Sequence, residues 1–165
     1  MIEVEIDSIR VSLMSDHRLM VLREVGSERF LPIWIGQCEA EAIAIHLRGV
    51  QIQRPMTHDL LKNVIAELGG EIAYVVVNDL RNDTFYARIA VNVDRRLLEI
   101  DARSSDAVAL AVRANVPIFV EEKVMEAAGV LPEEDLGEQE PVEDGELSAF
   151  RDFVNKLDLD DLPLQ

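Results

Sequence analysis

Near the start of the chain, Ile9, Val11 and Leu13 alternate with Arg10 and Ser12. After a turn at Ser15-Asp16 the apolar run LMVL resumes. A period of two marks a half-buried strand. A second turn at Gly26-Ser27 leads into FLPIWI, so three strands with short connections are predicted. The period then changes: in EAEAIAIHLR, Ala40, Ile43, Ala44 and Leu47 recur at i, i+3, i+4 and i+7, which predicts a helix.

The same order returns downstream. EIAYVVV is a strand, Asn82-Asp83 a turn, and FYARIAV a strand with Phe85, Ala87, Ile89 and Val91 on its buried face; LLEID is a third strand and SDAVALAVR a helix carried by Val108, Ala109 and Val112. At an offset of 65, Ile35 falls on Ile100, Ala42 on Ala107, Ala44 on Ala109 and Arg48 on Arg113, with Glu41 on Asp106 and Ile43 on Val108. These matches and the repeated element order predict an internal duplication of a βββα unit.

RPMTHDLLKNVIAELGG lies between the copies. Pro55 disfavours helix before it, Thr57 is expected to cap the first turn, and Asp59 sits where a helix dipole favours an anion. Leu60, Leu61, Val64, Ile65 and Leu68 are expected to form a buried stripe ended by Gly69-Gly70. PIFV adds a short strand, and EEKVMEAAG a short helix stopped at Gly129. The expected architecture is α+β: a single compact domain over residues 1–132, with a largely antiparallel or mixed sheet of six or seven strands built from the two units and the intervening helix.

Charge divides the chain further. The 165 residues carry a net charge of −16, but residues 133–165 hold twelve acidic and two basic residues (net −10), leaving 20 against 14 (net −6) for the rest. Residues 133–146, rich in Pro, Gly and like charges, read as an acidic flexible linker. In residues 147–165, Leu147, Phe150, Val154 and Leu157 recur at helical spacing, predicting a short amphipathic helix suited to docking on the body or on a protein partner. The acidic tail is expected to act as an anionic competitor for nucleic acid.

Apolar residues make up 48% of the chain, yet no run approaches the ~20 residues of a membrane helix, and no basic region followed by an apolar stretch opens it. With one cysteine and no CxxC pair, a cytoplasmic protein without a zinc cluster is expected. Cys38 is expected to be at least half-buried, and Trp34 to lie in the core or an interface. Phosphate loops, dinucleotide fingerprints, HExxH and GxSxG patterns are lacking, which removes support for nucleoside triphosphate hydrolysis, hydride transfer, zinc proteolysis and hydrolase-type acyl transfer.

Three polar clusters stand where apolar strands meet helix starts: Gly36 to Glu41, Arg54 to Asp59, and Asp101 to Asp106. Phosphodiester hydrolysis needs an activated water and cationic groups on the developing phosphorane charge. Glu39, Asp59, Asp101 and Asp106 could supply oxygen ligands to Mg²⁺ or Mn²⁺, His58 a base, and Arg54 or Arg103 a phosphate clamp, with Arg113 on an arginine-lined path. Structural roles compete: Thr57 and Ser105 as helix caps, Asp59 and Asp106 as first-turn anions, and Asp101 with Arg103 as an ion pair.

The strings LPIWIGQCEAEAIA, RPMTHDLL, FYARI and DARSSDAVALAVRANVPIFV, in this order, resemble the bifunctional nuclease domain family over residues 1–132. The resemblance implies a compact α+β homodimer hydrolysing both DNA and RNA with low sequence specificity. Carried over by position, it marks Glu39, Thr57, His58, Asp59, Asp101, Arg103, Ser105 and Asp106; the family's Arg-Pro-Ser-Asp is here Arg103-Ser104-Ser105-Asp106, which frees the backbone before the helix. The rival expectation is a non-catalytic homodimeric binding or regulatory module whose polar corners are helix caps.

Overall fold

The computed structural model describes residues 1–11 and 17–132. Leu13, the Ser15-Asp16 turn, the acidic linker and the C-terminal amphipathic helix lie outside the described residues. The elements are β1 (Ile2–Val11), β2 (Arg18–Glu24), β3 (Phe30–Ile35), α1 (Gln37–Leu47), α2 (Thr57–Glu67), β4 (Gly70–Arg81), β5 (Thr84–Val93), β6 (Arg96–Arg103), α3 (Ser104–Ala114), β7 (Ile118–Val120) and α4 (Glu122–Ala128).

The strands form one mixed sheet in the order β3-β2-β1-β7-β4-β5-β6. The order is symmetric about β7, as two βββα units predict. Neighbours are antiparallel except β7 and β4, which run parallel through Val75–Ile118 and Val77–Val120. β7 also pairs with β1, Ile2 opposite Val120 and Val4 opposite Ile118, so three residues join the halves. The β4–β5 and β5–β6 turns place Asn82, Asp83, Asp94 and Arg95 at positive φ, two consecutive residues in each, as tight hairpins require.

The core face gathers Met20, Leu22, Leu31 and Ile33 from one half with Val75, Val77, Ala87 and Ile89 from the other. α3 lies across it with Ala107 to Ala111 all buried, and its alanines let α1 and α2 approach closely.

α2 departs from the expectation. Leu60, Val64 and Leu68 are 58%, 44% and 77% exposed, Leu61 is also exposed and Ile65 half-buried, so the expected buried stripe faces largely outward. Its contacts with α3 and β4 bury His58, and an amphipathic period cannot reveal which neighbour its apolar face will meet. Phe85 is half-buried, whereas Ala87, Ile89 and Val91 are buried as expected. Among the described residues no helix is long and apolar enough to cross a membrane.

Candidate active site

Each of the first three helices carries a carboxylate three positions after its cap. The caps are Gly36, Met56 and Arg103, and the acids are Glu39, Asp59 and Asp106. Thr57 and Ser105 are therefore not the caps; they are the first residue of α2 and the second of α3. Asp59 Oδ2 accepts from the Met56 amide at 2.9 Å, doing from inside the helix what a capping hydroxyl does from before it. Gln37 and Ser104 open equivalent helices, so the duplicated units align at an offset of 67 rather than 65, and Glu39 becomes the counterpart of Asp106.

That equivalence has a geometric result. Arg103 donates through Nε to Asp106 Oδ2 at 2.6 Å and through an Nη to Glu39 Oε1 at 2.6 Å, tying the starts of α1 and α3 together. The other oxygen of Asp106 lies 3.0 Å from His58 Nε2, which brings in the start of α2. Three helix N-termini and four side chains thus meet, drawing on all three polar clusters. Burial alone would push the Asp106 carboxyl up, but Arg103 and then His58 outweigh it and hold it below the ordinary carboxylate value. Asp106 first, and Glu39 second, raise the pKa of Arg103.

The positive ends of the helix dipoles offset the two carboxylates. Arg103 is held at Nε and one Nη while the side chain stays 68% exposed, leaving its other Nη without a partner among the described residues. An anion can meet that group without breaking either ion pair.

Arg103 also lines a cleft of about 300 Å³ with Gly36, Ser104 and Ser105. Its walls come from both edges of the sheet, Trp34 on β3 and Thr84 and Phe85 on β5 beside the outermost strand, so the sheet curls until its margins face one another. Trp34 is 61% exposed here rather than in the core, because alternation along β3 turns Leu31, Ile33 and Ile35 inward. Cys38, expected to be at least half-buried, is exposed in the first turn of α1.

The remaining marked residues are elsewhere in the network. Asp59 Oδ1 accepts from Arg113 Nε at 2.9 Å, and Arg113 spends its other nitrogens on the carbonyls of Ala109 (2.8 Å) and Ala42 (2.9 Å). Its side chain is 2% exposed, so it clamps α1, α2 and α3 and offers nothing to a surface arginine path. Only its place in the last turn of an apolar helix hinted at this role. Asp101, on β6 opposite Arg88, and Arg54, in the loop before α2, are exposed and make no ion pair among the described residues. Arg103 pairs with Asp106 and Glu39 instead of Asp101.

A divalent ion requires converging oxygen or nitrogen donors. Among the described residues no three His, Cys, Asp or Glu side chains gather in that way, and Glu39, Asp59 and Asp106 are each turned onto a guanidinium. As arranged, these residues do not form a shell for Mg²⁺ or Mn²⁺.

What the cluster offers is an oriented imidazole. His58 Nε2 meets Asp106 and Nδ1 has no hydrogen-bond partner among the described residues; in the neutral tautomer with Nε2–H on the carboxylate, Nδ1 is the nitrogen that can accept a proton. A carboxylate-held imidazole beside a guanidinium is equipped to take a proton from water next to a bound phosphate.

A family model of the bifunctional nuclease domain matches residues 20–133. An uncharacterized protein of Mycobacterium tuberculosis is 41% identical over 161 residues, covering 96% of this chain and 96% of its own length. Bifunctional nuclease 2 of Arabidopsis thaliana is 29% identical over 145 residues, 84% of this chain and 44% of the plant protein. Bifunctional nuclease 1 of Oryza sativa subsp. japonica is 26% identical over 120 residues, 70% of this chain and 36% of the plant protein. The chain thus spans less than half the length of these plant relatives, but the family model runs from within β2 through α4, and the chain belongs to the bifunctional nuclease domain family.

Proposed function

We propose that the protein is a nuclease hydrolysing phosphodiester bonds in DNA and RNA with low sequence specificity. The supporting observation is the His58–Asp106–Arg103–Glu39 chain of contacts at three helix N-termini beside an open cleft. In this reading the scissile phosphate rests against the free Nη of Arg103 and nearby helix amides. His58 Nδ1 takes a proton from the water that attacks phosphorus, Asp106 orients the ring and offsets its positive charge, and Arg103 stabilises the charge on the non-bridging oxygens as the P–O bond to the leaving oxygen breaks. Ser105 lines the phosphate side, and Glu39 positions Arg103. Asp59 acts through the helix that carries His58. Phosphate contacts carry no sequence information, which fits broad specificity.

This reading routes no step through a metal; an ion bound between Glu39 and Asp106 would have to displace Arg103. The setting proposed is cytoplasmic, on the strength of the single cysteine, and the assembly a homodimer, on the exposed apolar residues Leu60, Val64 and Leu68 of α2. Sedimentation as a monomer at micromolar concentration would remove the dimer.

Labelled single-stranded DNA and RNA incubated with purified protein should be cleaved, and a His58→Ala, Asp106→Asn variant should lose that activity. Equal activity in the variant would assign the cleavage to a contaminant. The rival reading, a non-catalytic module, draws on the fact that Glu39, Asp59 and Asp106 are all paired with arginines; it predicts no cleavage by either protein.

A further inference from the structure

We propose that the cleft between the sheet margins is a nucleobase pocket in which Trp34 stacks on an unpaired base while Arg103 holds the adjoining phosphate. The inference rests on the nuclease reading and names its substrate class: single-stranded nucleic acid. Trp34 and Arg103 line the same space of about 300 Å³, at the small end of ligand sites. An indole 61% exposed on an edge strand, with Phe85 on the facing wall, presents a flat π-surface that its own fold leaves open.

The polar groups are sorted along the cleft. Arg103, opposite Tyr86 on the paired strand, and the start of α3 make one end of the cleft attractive to an anion; Asp83 in the β4–β5 turn and Thr84 at the start of β5 place a carboxylate and a hydroxyl further along the same margin. Asp83 repels phosphate and accepts from exocyclic amino groups, so the base belongs on the turn side and the phosphate on the Arg103 side. A base must leave its helical stack to lie on an indole, which favours single strands over duplex. Arg103 links the pocket to the His58–Asp106 pair, placing the bound nucleotide's phosphate at the chemistry.

Trp34 is the single tryptophan of the chain, so the full-length protein reports on the pocket through its own fluorescence. The probes are a short cleavage-resistant phosphorothioate oligodeoxyadenylate, its duplex with the complementary strand, and an abasic phosphorothioate chain of equal length. The single strand should quench Trp34 emission saturably and bind more tightly than the duplex, while the abasic chain should bind weakly without quenching. By anisotropy of labelled oligonucleotide, Trp34→Ala should weaken binding by about fivefold to about a hundredfold, and Trp34→Phe by less. Undiminished binding to Trp34→Ala with unchanged emission in the native protein would overturn the pocket while leaving nucleic-acid binding intact. Failure of the oligonucleotide to bind either protein would overturn the nuclease reading as well. A blue shift of emission that grows with protein concentration alone would overturn the pocket in favour of a second copy covering Trp34.

Discussion

His58 Nε2 lies 3.0 Å from Asp106 Oδ1, although 48 residues separate them, because α2 and α3 place their first turns against each other. In the proposed mechanism this contact fixes which ring nitrogen is left to accept a proton. Asp106→Asn keeps the shape but removes the carboxylate, so kcat for single-stranded DNA should fall by about a hundredfold to ten-thousandfold. His58→Ala should fall within the same range, and the double variant should lose little more than either single one. Additive losses would show that the two residues act independently.

The ion pairs at Asp106 also give an acid limb to stability. Its folded pKa is lowered, so its contribution is fully present above the unfolded value of about 3.9 and is lost as pH falls through the folded value. Because Arg103 is largely exposed, the contribution at neutral pH is on the order of 1 kcal/mol. Thermal unfolding of the native protein and Asp106→Asn should therefore differ most near pH 7 and converge below about pH 4. A difference that widened on acidification would mean the sign is wrong.

Arg113 and Asp59 should respond unequally to truncation. The Arg113 side chain is 2% exposed and Asp59 is 28% exposed, so Asp59→Ala strands a charge with little water, whereas Arg113→Met leaves a carboxylate that can be hydrated. Denaturant unfolding should give a loss of about 3 kcal/mol or more for Asp59→Ala and a smaller one for Arg113→Met. The reverse order would show that the carbonyl contacts to Ala42 and Ala109 dominate.

Gly36 tests the hold on Arg103 without touching the core. Its φ of −69° suits any residue, but a Cβ there would collide with a carboxylate oxygen of Glu39. Only the end of a flexible side chain must move, so the cost of Gly36→Ala should be limited to the poorer helix cap, about 1 kcal/mol. Oligonucleotide affinity should nevertheless drop if Glu39 positions Arg103; unchanged affinity would remove Glu39 from the site.

Chelation bears on the proposed chemistry. With Glu39 and Asp106 closed on Arg103, cleavage should persist in EDTA. Abolition by EDTA and recovery with Mg²⁺ or Mn²⁺ would mean that substrate binding draws Arg103 away and opens a ligand set.

Much of the fold is legible in the sequence, because alternation and turn chemistry act locally. Ala87, Ile89 and Val91 announce the buried face of β5, and Asn82-Asp83 announces its turn. The polar clusters are legible too, since Glu39, His58, Arg103 and Asp106 sit at helix starts. What sequence leaves open is which partner each side chain meets. Arg103 reaches Glu39 across 64 residues instead of Asp101 two residues away, and Arg113 turns into the three-helix junction rather than to solvent. Leu60, Val64 and Leu68 carry a helical period that says nothing about what they touch. These are tertiary choices, set by how the two halves pack.

The three-residue strand β7 also sets a timetable. β1 to β3 and β4 to β6 are meanders of sequence neighbours and can zip up early, but Ile2 finds its partner only at Val120. On a ribosome, the first strand made must wait with one edge open until almost all of β1 to α4 has been synthesised. Substitutions in β7 that slow this late closure yet keep the final contacts should therefore be felt first as lower yield of folded protein, before any loss of activity per folded molecule.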